Sequence, residues 1–307
     1  MERFDVAIVG QGYAGLTAAR LAVDNGLRTV NFESVCFGGL ILNVQQLDPP
    51  PQLDEQNGAE LTSKLAMSNR ERGVSVVPEE VIAVSPHAER GWIVETDAAP
   101  CHAMNVVIAS GAHLRRLGVP GEHEFLGQGV SLCAECDAPR HSDQPVVVVG
   151  GGDSAFQSAL ALAEWAGQVT VVLRGEASRA RHDLIERVTH HPRIVLRRHT
   201  QVVAIEGAAG GEVEHVRLRS GTGPEDIVRC TGVFVLIGLE PNTGFVHADV
   251  ARDDAGHLIV SACGETSLAG LWAIGAARSG FGGLLTDAAA DAARAIPALR
   301  LASPIFN

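Results

Sequence analysis

Lysine is almost absent from this chain. Of its 24 basic residues, Lys64 is the single lysine and the rest are arginine. No function follows from that skew alone. A basic surplus is absent as well: 36 acidic residues against 24 basic ones leave a formal net charge of −12. Nothing is left over to neutralise a phosphate backbone, which excludes a nucleic-acid binder. No run of about 18 apolar residues occurs, so no membrane-spanning helix is expected. The first strand candidate, Phe4–Val9, starts so near Met1 that a charged n-region and an apolar h-region find no room. No secretory signal is expected, and the expected location is cytoplasmic. Short-period repeats and low-complexity tracts are also missing, apart from the Pro49-Pro50-Pro51 loop.

What is present points to two domains. At 307 residues, 46% hydrophobic and 20% charged, the chain is long for one core and comfortable for two. Strand and helix alternate twice over. Phe4–Val9 reads as a strand buried on both faces, Leu16–Asn25 as a helix stopped by Gly26, and Leu27–Phe32 as the next strand. Pro145–Val149, Ser154–Ala166 and Gln168–Leu173 repeat that plan. Units of this size imply parallel pairing with right-handed crossovers. The expected fold class is α/β, with two Rossmann-like dinucleotide-binding domains built on parallel sheets. Pro-Gly signals near Gly118–Gly121 and Pro241–Gly244 mark the crossings between them. The second domain is therefore inserted in the first: 1–112 with 242–307 form one domain and 113–241 the other.

Each strand-to-helix turn is glycine-rich: Gly10-Gln11-Gly12-Tyr13-Ala14-Gly15 and Gly150-Gly151-Gly152-Asp153-Ser154-Ala155. A single such turn is weak evidence, being a common way to turn a chain. Two in one chain, each after a buried strand and opening a helix, suit pyrophosphates held at helix N-termini. Glu33, at the tip of the second strand, can accept hydrogen bonds from ribose hydroxyls and would repel a 2′-phosphate. The matching place in the second domain holds Arg174, with Arg179 and Arg181 behind it. Guanidinium groups there favour NADP(H) over NAD(H).

Between the two turns lies Cys133-Ala-Glu-Cys136-Asp137. A thiolate attacks a disulfide, and a second cysteine three residues on resolves the mixed disulfide. Asp137 can shuttle a proton to the departing thiolate. Zinc is the rival use of such a pair, but only His141 is near, and Cys230 and Cys263 stand alone. No metal is expected. Cys36, Cys101, Cys230 and Cys263 read as reduced thiols beside one working pair. His190 and His191 read as surface or core residues.

These elements together resemble the low-molecular-weight thioredoxin reductases, among the pyridine nucleotide–disulfide oxidoreductases, over essentially the whole chain. They occur in family order: 10–15, Gly38-Gly39, Ala109-Ser110-Gly111-Ala112, Cys133–Asp137, 150–155, and Ile237-Gly238-Leu-Glu-Pro241-Asn242. The resemblance implies FAD against Gly10, Gly12, Tyr13, Ala14, Gly15, Glu33, Ser34, Gly38, Gly39, Ala109, Ser110, Gly111, Gly275, Ala276 and Leu284. It implies NADPH against Gly150, Gly152, Asp153, Ser154, Arg174, Arg179 and Gly238. Cys136 would face the flavin, Cys133 would meet the substrate, and Asp137 would be the acid–base group. The implied assembly is a homodimer whose NADPH domain rotates. The implied reaction is reduction of thioredoxin, a thioredoxin-like protein or a small disulfide.

Four departures stand out. The family's Gly-Asp reads Gly275-Ala276, its Arg-Gln pair reads Gly282-Gly283, and the glutamine after Gly-Gly reads Leu40. Its His-Arg-Arg cluster reads Leu173-Arg174-Gly175. Loss of one carboxylate hydrogen bond to a buried hydroxyl costs about 1–3 kcal/mol, which loosens FAD without forbidding it. Two alternatives keep the same residues: a flavin dithiol oxidase that passes electrons to dioxygen, and a non-enzymatic redox-sensing or partner-binding flavoprotein. The intact Cys133–Asp137 motif speaks against the second of these, and Arg174 with Arg179 against the first.

Overall fold

A computed structural model describes residues 1–44, 47 and 57–302; the Pro49-Pro50-Pro51 loop lies outside the described residues. The chain divides into two compact units, Met1–His113 with Glu240–Asn307, and Leu114–Leu239. Unit one opens with β1 (Glu2–Val9), α1 (Tyr13–Asp24), β2 (Thr29–Phe32), α2 (Gly58–Glu71), β3 (Ser75–Val77), β4 (Val81–Pro86), β5 (Trp92–Thr96) and β6 (Cys101–Ile108). β7 (Ala112–Leu114) leads out of it. Unit two holds β8 (Val130–Ser131), α3 (Ala134–Asp137), β9 (Pro145–Val149), α4 (Asp153–Ala163), β10 (Gln168–Val172), α5 (His182–Thr189), β11 (Ile194–Arg197), β12 (Thr200–Gly207), β13 (Val213–Ser220), β14 (Glu225–Arg229) and β15 (Gly232–Val235). The chain returns through β16 (Leu239–Pro241) to β17 (Leu271–Ala273) and α6 (Leu285–Ala302).

In unit one, β1 is flanked by β2 and β6, both parallel to it. Helices cover one side and a β-hairpin layer the other, so Phe4–Val9 is buried throughout and reads as an unbroken apolar run. β6 changes partner along its length. Cys101–Ala103 pairs antiparallel with β5, and Val106–Ile108 pairs parallel with β17. On one face, alanines of α1 (Ala18, Ala19, Ala22) and α6 (Ala292, Ala295) pack with Val6, Ile8 and Trp272. Small side chains let both helices approach the sheet closely.

The observed helix α1 starts at Tyr13, three residues before the expected Leu16, because Gly12 (φ −67°, ψ 176°) serves as its N-cap. Gly26, at φ +75°, ends it in the left-handed region that glycine enters without strain. β2 starts at Thr29 rather than Leu27 because the Leu27 amide still bonds back to Ala22 and Asp5 accepts from the Arg28 amide at 2.8 Å. α4 begins at Asp153 and ends at Ala163, before the expected Ala166, and β10 ends at Val172 rather than Leu173.

Unit two is built on a parallel sheet ordered β11-β10-β9-β15-β8. α4 and α5 pack on one face through Phe156, Leu162 and Leu184. A three-stranded antiparallel sheet, β12-β13-β14, packs Val202, Ile205, Val216 and Leu218 into a cluster with Val147 and Val235. The hairpin β4-β5 and this antiparallel sheet are additions to the parallel plan read from the sequence.

Candidate active site

In unit one, the first and third glycines of the turn are required by packing. Gly10 sits at φ +103° with Ala109 O 2.5 Å from where a Cβ would be, and a Cβ on Gly15 would lie 2.0 Å from Gly10 O. Gly12 differs: its missing Cβ has nothing within 4 Å. It caps α1 with no side-chain hydrogen bond. A helix N-terminus of this kind, with backbone N–H groups and the positive dipole end, is a cradle where a pyrophosphate could be held.

Around it, Glu33 is half-buried and accepts from the Gln11 amide at 3.0 Å and the Val35 amide at 3.2 Å. Those two bonds hold the carboxylate beside the turn with lone pairs to spare for ribose hydroxyls. The Gly38 amide donates to Gln11 O at 2.7 Å, and Gly12 and Gly38 form an isolated bridge. The Ala109 amide donates to Val9 O. Ser110 Oγ donates to Asn242 O at 2.5 Å, and Asn242 Nδ2 returns a bond to Ser110 O at 3.0 Å. Gly275 (φ +63°) would bring a Cβ within 3.0 Å of Ala14 Cβ. Segments 10–15, 33, 38–39, 109–111 and 275 are thus gathered at one end of the sheet.

Other expected residues vary in exposure. Ser34 is exposed. Tyr13 packs into a cluster with Leu16, Leu61 and Leu65. Leu284 is 58% exposed, and its amide donates to Asp287 Oδ2 at 3.3 Å at the start of α6. Ala276 is half-buried on a short turn, Gly275–Ala277.

Unit two repeats the cradle. Gly150 (φ +147°) would place a Cβ 2.1 Å from Leu236 O, whereas Gly152 has nothing within 4 Å and caps α4. The segment after β10 folds back over this turn. Ser178 Oγ donates to Gly151 O at 2.9 Å, and the Arg179 amide donates to the same oxygen at 2.8 Å. Arg174 and Arg179 are exposed on this segment, and the Arg179 backbone is tied to the turn. Asp153 is engaged elsewhere: its Oδ1 accepts from the Arg181 amide at 2.7 Å and its Oδ2 lies 3.6 Å from Arg181 Nε. Ser154 and Gly238 are exposed, the latter at φ +107°. Near Arg174, Glu176 pairs with His199 at 2.5 Å.

Cys133 and Cys136 form a disulfide with Cα atoms 5.4 Å apart. Cys133 caps α3 and is half-buried, whereas Cys136 is exposed. The Cys133 amide donates to Ser131 Oγ at 3.0 Å, and the Cys136 amide points to Cys133 Sγ at 3.3 Å. Asp137 is half-buried one residue on. The remaining four cysteines are free. Burial pushes the Cys101 and Cys230 thiols up to about 12, which leaves them protonated and inert at neutral pH. His141 is buried, with Nδ1 2.9 Å from Thr231 Oγ1 and its ring edge-on to Phe234. Burial, followed by the charge of Arg140, lowers its pKa.

Sequence reasoning passed over the buried carboxylates Asp5, Glu122 and Asp291; Asp291 is 5% exposed. It shares a face of α6 with Ala288, Ala292 and Ala295, and an acid at a core-facing helical position was the available signal.

The sequence matches the pyridine nucleotide-disulphide oxidoreductase family over residues 4–293. It is 34% identical over 278 residues to the thioredoxin reductase of Treponema pallidum, covering 90% of this chain and 89% of that one. It is 37% identical over 274 residues to the thioredoxin reductase of Mycolicibacterium smegmatis, covering 88% and 87%. The fold superposes on Lactococcus lactis thioredoxin reductase with a TM-score of 0.88 at 29% identity, covering 96% of this chain and 97% of that one. A match that begins at the first buried strand and runs into the last helix takes in both cradles and the thiol pair between them, and the chain belongs to the pyridine nucleotide-disulphide oxidoreductases.

Proposed function

We propose that this enzyme is an NADPH-dependent flavoprotein disulfide reductase that binds FAD in unit one and NADPH in unit two. Its electrons pass through the Cys133–Cys136 pair to thioredoxin, a thioredoxin-like protein or a small disulfide. The observation that carries this reading is the Cys133–Cys136 disulfide with Cys136 exposed and Asp137 adjoining it, in a chain with two open glycine cradles. The relatives' names, thioredoxin reductase, support the substrate class.

FAD held by the Gly10–Gly15 turn and Glu33 would supply a two-electron relay between the nicotinamide and the Cys133–Cys136 disulfide. The chain's own residues do the rest. The Gly12 and Gly152 cradles bind pyrophosphates, Glu33 orients a free ribose, and Arg174 with Arg179 grips a 2′-phosphate. In the reduced pair, the Cys133 thiolate attacks one sulfur of the substrate disulfide. That S–S bond breaks, a new one forms to Cys133, and the leaving thiolate takes a proton from Asp137. Cys136 then gives its proton to Asp137 and attacks Cys133 Sγ as thiolate, re-forming the pair's disulfide. The second substrate sulfur leaves as thiolate and takes a proton from water, which completes the dithiol. Two electrons leave the protein per cycle. The working form is taken as a homodimer. The expected compartment is the cytoplasm, where four free thiols beside one working pair persist; among the described residues no helix is long and apolar enough to cross a membrane.

The test is spectroscopic. Purified protein reconstituted with FAD should be yellow and should bleach on anaerobic addition of NADPH, and then reduce an added disulfide stoichiometrically. A colourless protein after reconstitution refutes the flavin assignment. A yellow protein that bleaches with a small dithiol and not with NADPH identifies a dithiol oxidase instead.

A further inference from the structure

Asp291 accepts four hydrogen bonds, as many as a carboxylate has lone-pair sites, about four. Its Oδ2 accepts from the Gly275 amide at 3.0 Å and from Arg278 Nε at 2.6 Å. Its Oδ1 accepts from Arg278 Nη2 at 2.8 Å and from Arg294 Nη2 at 2.7 Å. A buried charge of this kind is tolerated because it is paired and fully hydrogen-bonded. The partners are unequal. Arg294 is half-exposed and lies on α6 three residues from Asp291, whereas the Arg278 side chain is only 16% exposed.

Gly275 is where β17 gives way to the Gly275–Ala277 turn. Its φ of +63° brings it against Ala14, in the first turn of α1 and so at the mouth of the Gly12 cradle. Ala276, next along, contributes no polar side-chain atom. The turn can therefore offer a nucleotide only backbone groups, whose placement depends on what holds the turn.

We infer that Asp291 is a positioning residue for the flavin nucleotide: through the Gly275 amide and Arg278 it fixes the Gly275–Ala277 turn in register with the Gly10–Gly15 cradle. This inference rests on FAD occupying unit one. α6 thereby does by a bond to the backbone what Ala276 cannot do by a side chain. The carboxylate also couples two segments of unit one, so its loss should act on nucleotide binding more than on the empty fold.

The experiment uses the full chain, freed of flavin and titrated with FAD while flavin fluorescence and visible circular dichroism are followed. Asp291→Asn, which keeps the shape and removes the charge, should weaken FAD binding by about tenfold or more and alter the dichroism of the flavin that remains. The rise in melting temperature produced by FAD should shrink. Arg294→Ala should leave FAD affinity within about threefold of wild type, since the exposed pair contributes little. If Asp291→Asn lowers the melting temperature of empty and loaded protein equally, with FAD affinity unchanged, Asp291 is a structural ion-pair member and the inference is overturned. Should Asp291→Asn fail to fold, Arg278→Lys keeps the charge and loses the two-pronged grip. It should weaken FAD several-fold, and unchanged affinity there also overturns the inference. Wild-type protein that binds no FAD refutes the assignment of unit one; wild-type binding with both variants unaffected refutes only the role of Asp291.

Discussion

A methyl group on Gly15 would stand 2.0 Å from the carbonyl oxygen of Gly10, while one on Gly12 would touch nothing within 4 Å. Two glycines three residues apart thus serve different ends. Gly15→Ala should destabilise the empty protein by about 1–3 kcal/mol through overpacking. Gly12, at φ −67°, accepts alanine without backbone strain, so Gly12→Ala should cost at most about 1 kcal/mol as a poorer cap. It should still weaken FAD by about tenfold or more by filling the cradle. Thermal melts of empty protein beside FAD titrations separate the two. A Gly12→Ala variant with wild-type FAD affinity would remove the pyrophosphate from this turn.

The thiols make a sharper division of labour. Cys133→Ser and Cys136→Ser should each lose disulfide turnover almost completely, because exchange needs both attack and resolution. Flavin reduction by NADPH should persist in both. If Cys136 faces the flavin, Cys133→Ser should show a long-wavelength charge-transfer band that Cys136→Ser lacks. Asp137→Asn should keep the spectrum and slow turnover by about 10²–10⁴-fold. Turnover at the wild-type rate in the double serine variant would make the pair structural.

Arg174 and Arg179 lie on the segment that follows β10, and Glu176, two residues from Arg174, pairs with His199. Arg174→Ala should raise the KM for NADPH about tenfold or more and leave that for NADH nearly unchanged, since charge-assisted bonds to the 2′-phosphate are lost. Glu176→Gln should move the preference the other way, towards NADPH, by removing a like charge. Equal rates with both nucleotides in wild type would rule out the phosphate site.

His141 sets an acid limit on unit two. Its folded-state pKa is lowered from 6.5, first by burial. The unfolded chain therefore takes up a proton that the folded chain resists, so the stabilisation is complete above about pH 6.5 and lost as pH falls through the lower, folded pKa. Melting temperature should fall between pH 7 and pH 5, with a shallower fall in His141→Gln. Identical slopes would place the acid sensitivity elsewhere.

Much of the site was legible because its requirements are local. Gly10, Gly12 and Gly15 meet theirs within a few residues of backbone, and Glu33 follows from the end of the next strand. Cys133, Cys136 and Asp137 are one helical turn. Helix ends were less legible: the reading began α1 at Leu16, but Gly12 can cap only because its neighbours enter the helix at Tyr13. Leu284, expected at the flavin, stands just before α6, 58% exposed, its amide bonded to Asp287.

By itself the sequence determined the two glycine turns, Glu33 and Arg174 just past the matching strands, and the thiol pair, since each depends on residues close along the chain. Tertiary structure alone decided the rest. It changed the partner of β6 midway, laid antiparallel strands over the parallel sheets, and engaged Asp153 with Arg181. It also brought Asp291 from the last helix to the amide of Gly275. These pairings depend on which faces are buried together, and a buried carboxylate finds its donors only after the helix that carries it has packed.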